Sequence, residues 1–232
     1  PAVRHLLADI RDELCALCGE GRYFMIGCDE ADDLGQGENS LEIARGLCEY
    51  LNDIQADLAA KGRRAIMWGD MLLCAADMPL ARRADGEYYD ANSSHEFAAA
   101  LRAGLRRDIV IADWQYTIVS DSVWQSARLF REAGFDVICC SFSNQANYQT
   151  ALNTIRAAGC MGFMKTTWHT LGRQIAHLVY AGDLMWHGRE VMSLSKTSSR
   201  AMDVFRKMLP CHDYAGAGWS SIQIGPGANI LS

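Results

Sequence analysis

Five short apolar runs alternate with longer amphipathic segments over the first 188 residues of the chain. The runs are residues 23–28, 64–68, 108–112, 135–140 and 160–165. Apolar residues between them recur at helical spacing, as Leu51, Ile54 and Leu58 do. Asn39, with Glu42 three residues later, has the spacing of a capping box and predicts the start of that helix. Nearly continuous apolar strands separated by helices predict a parallel sheet with helices packed on its faces.

Two architectures fit this alternation, a doubly wound open sheet and a (βα)8 barrel. No Gly-rich phosphate turn follows any of the runs, which disfavours a nucleotide-binding open sheet. Polar and aromatic residues gather directly after the runs, where the strands of a barrel converge on one site. We therefore expect an α/β fold of the (βα)8 TIM-barrel type, with only its second half, about five βα units, in residues 1–188. Residues 189–232 are expected to form a C-terminal helix and an irregular tail.

The composition favours a globular protein that acts on a neutral substrate. Half of the 232 residues are hydrophobic, and the formal net charge of -6 includes no Lys/Arg stripe for binding nucleic acid. No apolar run approaches the roughly 18–20 residues of a membrane span, and no secretory signal opens the chain. We expect a cytoplasmic protein with neither nucleic-acid nor membrane partners. Because the sequence begins at Pro1 without an initiator Met, we also expect it to be a piece of a longer protein.

The cysteine pattern indicates buried apolar residues in a reducing compartment. The nine cysteines are odd in number and dispersed, and several lie inside apolar runs. Cys15 and Cys18 have metal or redox spacing, but no second Cys-x-x-Cys pair and no nearby His accompany them. We therefore expect no metal and no cofactor.

The first apolar run ends in two adjacent carboxylates, Asp29 and Glu30, within a loop rich in Gly and Asp. Like charges this close repel, which favours keeping one carboxyl protonated. A protonated carboxyl near neutral pH is what general acid catalysis requires. The pair predicts a catalytic acid at the end of the first strand, with an ordinary solvated loop as the alternative.

The later runs end in residues that suit carbohydrate recognition. Sugars present apolar C–H faces surrounded by hydroxyl groups, so their sites combine Trp platforms with carboxylate and amide acceptors. One run ends at Trp68, and two others are followed by Trp114 and Trp168, each with a polar residue one or two positions away. Core packing is the alternative for each Trp alone. The candidate substrate-binding residues at these ends are Trp68, Asp70, Trp114, Tyr116, Asn144, Trp168 and His169.

Residues 26–38, with the sequence IGCDEADDLGQGE, resemble the strand-four signature of glycoside hydrolase family 20, the β-N-acetylhexosaminidases. The portion DLGQGE is similar to the hexosaminidase D branch of that family. Three later segments resemble the family in the right order. They are IMWGDML at 66–72, DWQY at 113–116 and TTWH at 166–169. The resemblance covers about residues 1–188 and implies the second half of a catalytic barrel.

The resemblance implies a substrate-assisted retaining hydrolysis of terminal β-linked N-acetylhexosamine. Glu30 would be the general acid and then the general base, and Asp29 would orient the 2-acetamido group of the substrate. Family members also use a tyrosine hydroxyl to support the acetamido oxygen, and either Tyr148 or Tyr116 is a candidate for this role. The implied partner is a glycan or glycoside that contains N-acetylhexosamine.

Two other readings of the sequence stay open. A non-catalytic sugar-binding remnant would keep the Trp residues without turning over a substrate. An incomplete fragment would need self-association or a missing N-terminal half to complete the barrel, because five strands do not close one.

Overall fold

The computed structural model describes residues 2–35, 37–78, 86–168, 171–190 and 192–208. The chain divides into two compact units, Pro1–Thr166 and Thr167–Ser232. We call the first the sheet unit and the second the helical unit. The sheet unit contains five strands: β1 (Tyr23–Met25), β2 (Arg64–Trp68), β3 (Val110–Trp114), β4 (Asp136–Ser141) and β5 (Gly162–Lys165).

The five strands form one parallel sheet in the order β1-β2-β3-β4-β5. Each strand pairs with the next one along the chain, and the sheet curls into a half-barrel. This arrangement confirms the predicted α/β class and the parallel five-stranded sheet, and it is compatible with a partial TIM-barrel-like fold. Because all strands run the same way, their carboxyl ends lie along one edge, which we call the carboxyl edge.

The helices of the sheet unit are α1 (Ala2–Leu17), α2 (Ser40–Ala60), α3 (His95–Gly104), α4 (Gln125–Glu132) and α5 (Gln145–Ala158). Side chains alternate between the two faces of a strand. On β3, Asp113 reaches Ser126 of α4, whereas Trp114, the next residue, lies on the opposite face. On β5, Phe163 meets Tyr148 of α5 edge to face, with ring centroids 6.0 Å apart. These contacts identify the face that the helices cover.

Helix starts agree only partly with the sequence prediction. Asn39 precedes α2 as predicted, but its side chain makes no capping hydrogen bond, so the predicted capping box is wrong. Its backbone is nearly helical, with φ -96° and ψ 11°, rather than the extended conformation in which an N-cap side chain reaches the first turn. Ser94 does cap α3, because its hydroxyl oxygen accepts the N–H of Phe97 at 3.3 Å.

One side of the sheet unit leaves apolar surface open to solvent. Along α1, Leu6, Ile10 and Leu14 are each more than 40% exposed. The edge strand β1 likewise exposes Tyr23 and Met25. Strands of parallel sheets are normally buried on both faces. The exposed apolar residues of α1 and β1 therefore lie on the side of the first strand where a partial barrel is open.

The helical unit contains α6 (Leu171–His187) and α7 (Leu194–Met208), which pack against each other. The hydroxyl of Tyr180 on α6 donates to a carboxylate oxygen of Glu190 at 2.7 Å. The irregular tail expected after α7 lies outside the described residues. Across the described ranges, no helix has both the length and the apolar character needed to cross a membrane.

Candidate active site

The loop after β1 carries the adjacent carboxylates at the carboxyl edge. Backbone pairing with β2 continues past the strand, since the N–H of Trp68 donates to the carbonyl of Gly27 at 3.0 Å. Gly27 then turns the chain with φ 76°, and both Cys28 (φ 72°) and Glu30 (φ 51°) adopt left-handed backbone conformations. Such conformations are costly for residues with a Cβ and are found preferentially at functional sites.

The two carboxylates of this loop differ in exposure. Asp29 is half-buried and Glu30 is exposed. Among the residues that the structure describes, no side chain or backbone group donates a hydrogen bond to either carboxylate. Both carboxylates are therefore available to a ligand, that of Glu30 at the surface and that of Asp29 in a partly buried position.

Asp70 connects the Glu30 loop to the neighbouring strands. It follows β2, and its side chain is almost fully buried. One carboxylate oxygen, Oδ2, accepts the backbone N–H of Glu30 at 2.8 Å and the side-chain amide of Asn92 at 3.0 Å. The other, Oδ1, accepts the indole N–H of Trp114 at 3.1 Å. Burial raises the pKa of Asp70, and these donors act in the opposite direction.

Gly69 allows Asp70 to reach this position. A Cβ at Gly69 would lie 2.9 Å from Cγ2 of Ile111 and 2.9 Å from Cε2 of Phe130. The chain therefore passes against the buried layer between β3 and α4 where a side chain would not fit. The sequence Trp68-Gly69-Asp70 places an aromatic residue and a buried carboxylate on either side of that close approach.

The aromatic residues of the carboxyl edge gather next to Asp70. Trp68 is half-buried at the end of β2, and Trp114 is half-buried at the end of β3. The rings of Trp114 and Tyr116 lie 5.2 Å apart between centroids, and Tyr116 and Phe142 lie 5.7 Å apart. A ring cluster of this kind offers an apolar wall beside the carboxylate pair.

Asp113 lies at the same edge but serves the other face of the sheet. It is completely buried, and it accepts hydrogen bonds from the Ser126 hydroxyl at 2.7 Å and the Gln115 amide at 2.9 Å. Burial raises the pKa of Asp113 to about 6. Its donors come from α4 and the loop after β3, so Asp113 stabilises the fold behind the aromatic cluster.

Two predicted substrate-binding residues have structural contacts of their own. Asn144 is the N-cap of α5, and its side-chain oxygen accepts the N–H groups of Ala146 and Asn147 at 3.0 and 3.3 Å. Tyr148 is fully buried, and its hydroxyl donates to the carbonyl of Phe142 at 2.5 Å. These contacts give Asn144 a capping function and place the Tyr148 hydroxyl within the packed layer beneath the cluster.

The remaining predicted residues follow β5. Trp168 belongs to the range of the helical unit and is 42% exposed. His169 lies outside the described residues. Their predicted contributions to the site therefore stay predictions.

The structure adds two residues that the sequence did not single out, Asp90 and Asn92. The N–H of Asp90 donates to the side-chain oxygen of Gln115 at 2.9 Å, and Asn92 binds Asp70 as described above. Burial raises the pKa of Asp90 to about 7, with further contributions from Asp70, Asp113 and Glu30. No apolar run precedes Asp90 in the sequence. The available signal was the polar stretch Asp90–Ser94 just before the cap of α3.

The thiol within the Glu30 loop does not suit nucleophilic chemistry. Burial raises the pKa of Cys28 to about 11, and the nearby carboxylates of Asp29 and Asp70 add to the effect. A nucleophilic cysteine needs a lowered pKa, because the thiolate is the reactive form. The chemistry of this loop therefore depends on its carboxyl groups.

No protein-family model matches this sequence, and it has no significant match among curated proteins. Fold and site geometry, together with the motifs, are thus the basis for any functional assignment.

Proposed function

We propose that this chain is a glycoside hydrolase similar to the family 20 β-N-acetylhexosaminidases, removing terminal β-linked N-acetylhexosamine from a glycan or glycoside. The central observation is the arrangement around Asp70. Asp29 and Glu30 lie adjacent in a strained loop whose backbone is held by Asp70, and the same carboxylate holds the indole of Trp114. A carboxyl pair fixed beside an aromatic wall suits a sugar with a substituent on C2.

Adjacency of the two carboxylates distinguishes this proposal from ordinary glycoside hydrolysis. Glycosidases of the usual kind place their two carboxylates about 5–9.5 Å apart on opposite sides of the scissile bond. Neighbouring residues of one loop serve a different arrangement, in which the acetamido group of the substrate replaces the protein nucleophile. Asp29 and Glu30 then act on two parts of the same sugar.

In the first step, the acetamido oxygen attacks C1 as the bond between C1 and the glycosidic oxygen breaks. Glu30, the exposed carboxyl, gives its proton to the departing oxygen. Asp29, the half-buried carboxyl, accepts the acetamido N–H and stabilises the positive charge that develops on the oxazolinium ring. In the second step, Glu30 takes a proton from the water that attacks C1, which opens the ring with retained configuration.

The aromatic residues would enclose the sugar. Trp68 and Trp114 lie at the ends of neighbouring strands, and the ring of Tyr116 lies against that of Trp114 at an interplanar angle of 43°. Of the two tyrosines considered for the acetamido oxygen, Tyr116 is the better supported, because its ring lies beside Trp114 and is partly exposed, whereas Tyr148 is fully buried. Trp168 and His169 remain proposed substrate-binding residues that follow β5.

The test is hydrolysis of 4-nitrophenyl N-acetyl-β-glucosaminide and of its galacto epimer by the purified chain. Glu30→Gln is expected to lower kcat by about 100-fold or more, because general acid catalysis typically contributes factors of 10² to 10⁴. Glu42→Gln, at an exposed position on α2, is the matched control and is expected to keep full activity. Full activity of Glu30→Gln with folding intact would contradict the proposal.

The open edge of the half-barrel favours a second candidate, a sugar-binding protein without turnover. Its signature would be binding of N-acetylglucosamine in calorimetry without release of 4-nitrophenol. Activity per chain that rises with protein concentration would instead indicate that self-association completes the site.

A further inference from the structure

We propose that Asp90 is a substrate-binding residue of this site, and that its carboxylate accepts hydrogen bonds from hydroxyl groups of the bound sugar. The proposal rests on the proposed function. It goes beyond the motifs, because no part of the family resemblance includes Asp90.

The backbone around Asp90 is fixed to the loop that follows β3. The N–H of Asp90 donates to Gln115, and the hydroxyl of Tyr89 donates to Asp121 at 2.6 Å. On the other side of Asp90, the N–H of Asn92 donates to the carbonyl of Asp70 at 3.1 Å. Asp90 is therefore held in place from both directions, without any contribution from its own carboxylate.

Three hydrogen bonds through Asn92 and Asp70 connect the segment of Asp90 to Glu30. Asn92 binds Asp70 through both its backbone and its side chain, and Asp70 in turn binds the backbone N–H of Glu30. The charge of Glu30 is close enough to contribute to the raised pKa of Asp90. The two carboxyls thus belong to one group of residues at the carboxyl edge.

The carboxylate of Asp90 lacks donors within the described part of the chain, where no hydrogen bond or ion pair reaches it. It is nevertheless half-buried. Partial removal of a carboxylate from water without compensating donors is unfavourable. A ligand that brings hydroxyl donors would relieve this cost.

Hydroxyl groups suit this position better than a metal ion. Among the described residues, no group of three or more His, Cys, Asp or Glu side chains could hold a metal. A neutral ligand with several hydroxyl groups would supply hydrogen-bond donors to Asp90. The same kind of ligand suits the aromatic cluster at the carboxyl edge. Asp90 would then help to select which sugar hydroxyls are accepted.

The experiment compares the chain with its Asp90→Ala variant on 4-nitrophenyl N-acetyl-β-glucosaminide and on the 3-deoxy, 4-deoxy and 6-deoxy analogues. We expect Asp90→Ala to lower kcat/KM on the parent substrate by about 10- to 100-fold, as for loss of a hydrogen bond to a charged group. On the analogue that lacks the bound hydroxyl, the variant and the unsubstituted chain should be equally active. Asp33→Ala, at an exposed carboxyl in the loop after Glu30, is the matched control.

The outcomes separate the two proposals. Hydrolysis that Asp90→Ala leaves unchanged would overturn the role of Asp90 alone. The same loss on the parent and on all three analogues would also overturn it, because a merely structural effect does not depend on one hydroxyl. Absence of hydrolysis by the unsubstituted chain would overturn the proposed function, and the role of Asp90 with it.

Discussion

The carboxylate of Asp70 accepts the backbone N–H of Glu30 at 2.8 Å, across a separation of 40 residues in the chain. This contact joins the loop after β1 to the residues that follow β2, in addition to the bond from the Trp68 N–H to the carbonyl of Gly27. It also compensates the left-handed backbone of Glu30 by giving its N–H a charged acceptor. Asp70 is thereby a positioning residue for the proposed general acid, in addition to holding Trp114.

Replacing Asp70 by Ala should weaken both folding and catalysis. The substitution leaves the Glu30 N–H, the Asn92 amide and the Trp114 indole without their acceptor. We expect the free energy of unfolding to fall by about 3 kcal/mol, since a hydrogen bond to a charged group contributes about 1.5–3 kcal/mol and these three are only partly buried. A displaced Glu30 should lower kcat by about 100-fold. Urea denaturation and initial rates measure the two effects.

Asp33→Ala is the matched control for this substitution, because Asp33 is an exposed carboxyl and its side chain makes no hydrogen bond within the described residues. It should change stability by less than about 0.5 kcal/mol. An Asp70→Ala variant as stable and active as this control would refute the positioning role.

The hydrogen bond from Ser126 to Asp113 should be most important at neutral to alkaline pH. Burial raises the pKa of Asp113 to about 6, so the folded protein favours the protonated carboxyl. The stability that protonated Asp113 contributes is therefore full below about pH 4 and is lost as the pH rises through 6, where the carboxyl ionises. Ser126→Ala removes a donor to the ionised form. We expect a loss of about 1.5–3 kcal/mol at pH 8 and a smaller loss at pH 5.

Chemical denaturation at the two pH values checks this expectation. Ser122→Ala is the control, because Ser122 is exposed on the segment just before α4. An equal loss of stability at pH 5 and pH 8 for Ser126→Ala would show that ionised Asp113 does not depend on Ser126.

Substituting Gly69 by Ala should destabilise the sheet unit by about 1–3 kcal/mol. The added Cβ would overlap Ile111 and Phe130 at 2.9 Å, and overpacking of a filled core typically costs this much. Gly46→Ala, on an exposed part of α2 with no atom near the added Cβ, should instead stabilise by up to about 1 kcal/mol. Thermal unfolding of both variants should show midpoint shifts of opposite sign.

The sheet and the carboxylate loop were predictable because their signals are local. Apolar runs of strand length alternate with helical periodicity, and the structure confirms five parallel strands at those runs. The rule that strand ends share one edge brought Glu30, Asp70 and Trp114 together in advance. The order of strands and helices along the chain was sufficient to predict that these three residues lie close together.

The remaining features depend on contacts between distant parts of the chain. Asp90 follows no strand, and hydrogen bonds to distant residues, from its own N–H to Gln115 and from Asn92 to Asp70, place it beside the site. Asn144 follows a strand as the rule requires, yet its side chain caps the next helix. Asn39 has the spacing for a capping box but the wrong backbone angles, which sequence spacing does not specify.

The left-handed backbone at Glu30 sets stability against function in this chain. Gly adopts φ 51° without the cost that a Cβ imposes, so Glu30→Gly should raise the unfolding free energy by up to about 1 kcal/mol while removing the proposed acid. A population of variants selected only for heat resistance should therefore accumulate Gly at position 30. If Glu persisted at position 30 under such selection, its left-handed backbone would not be costly to stability. Some contact other than the hydrogen bond to Asp70 would then have to relieve the strain.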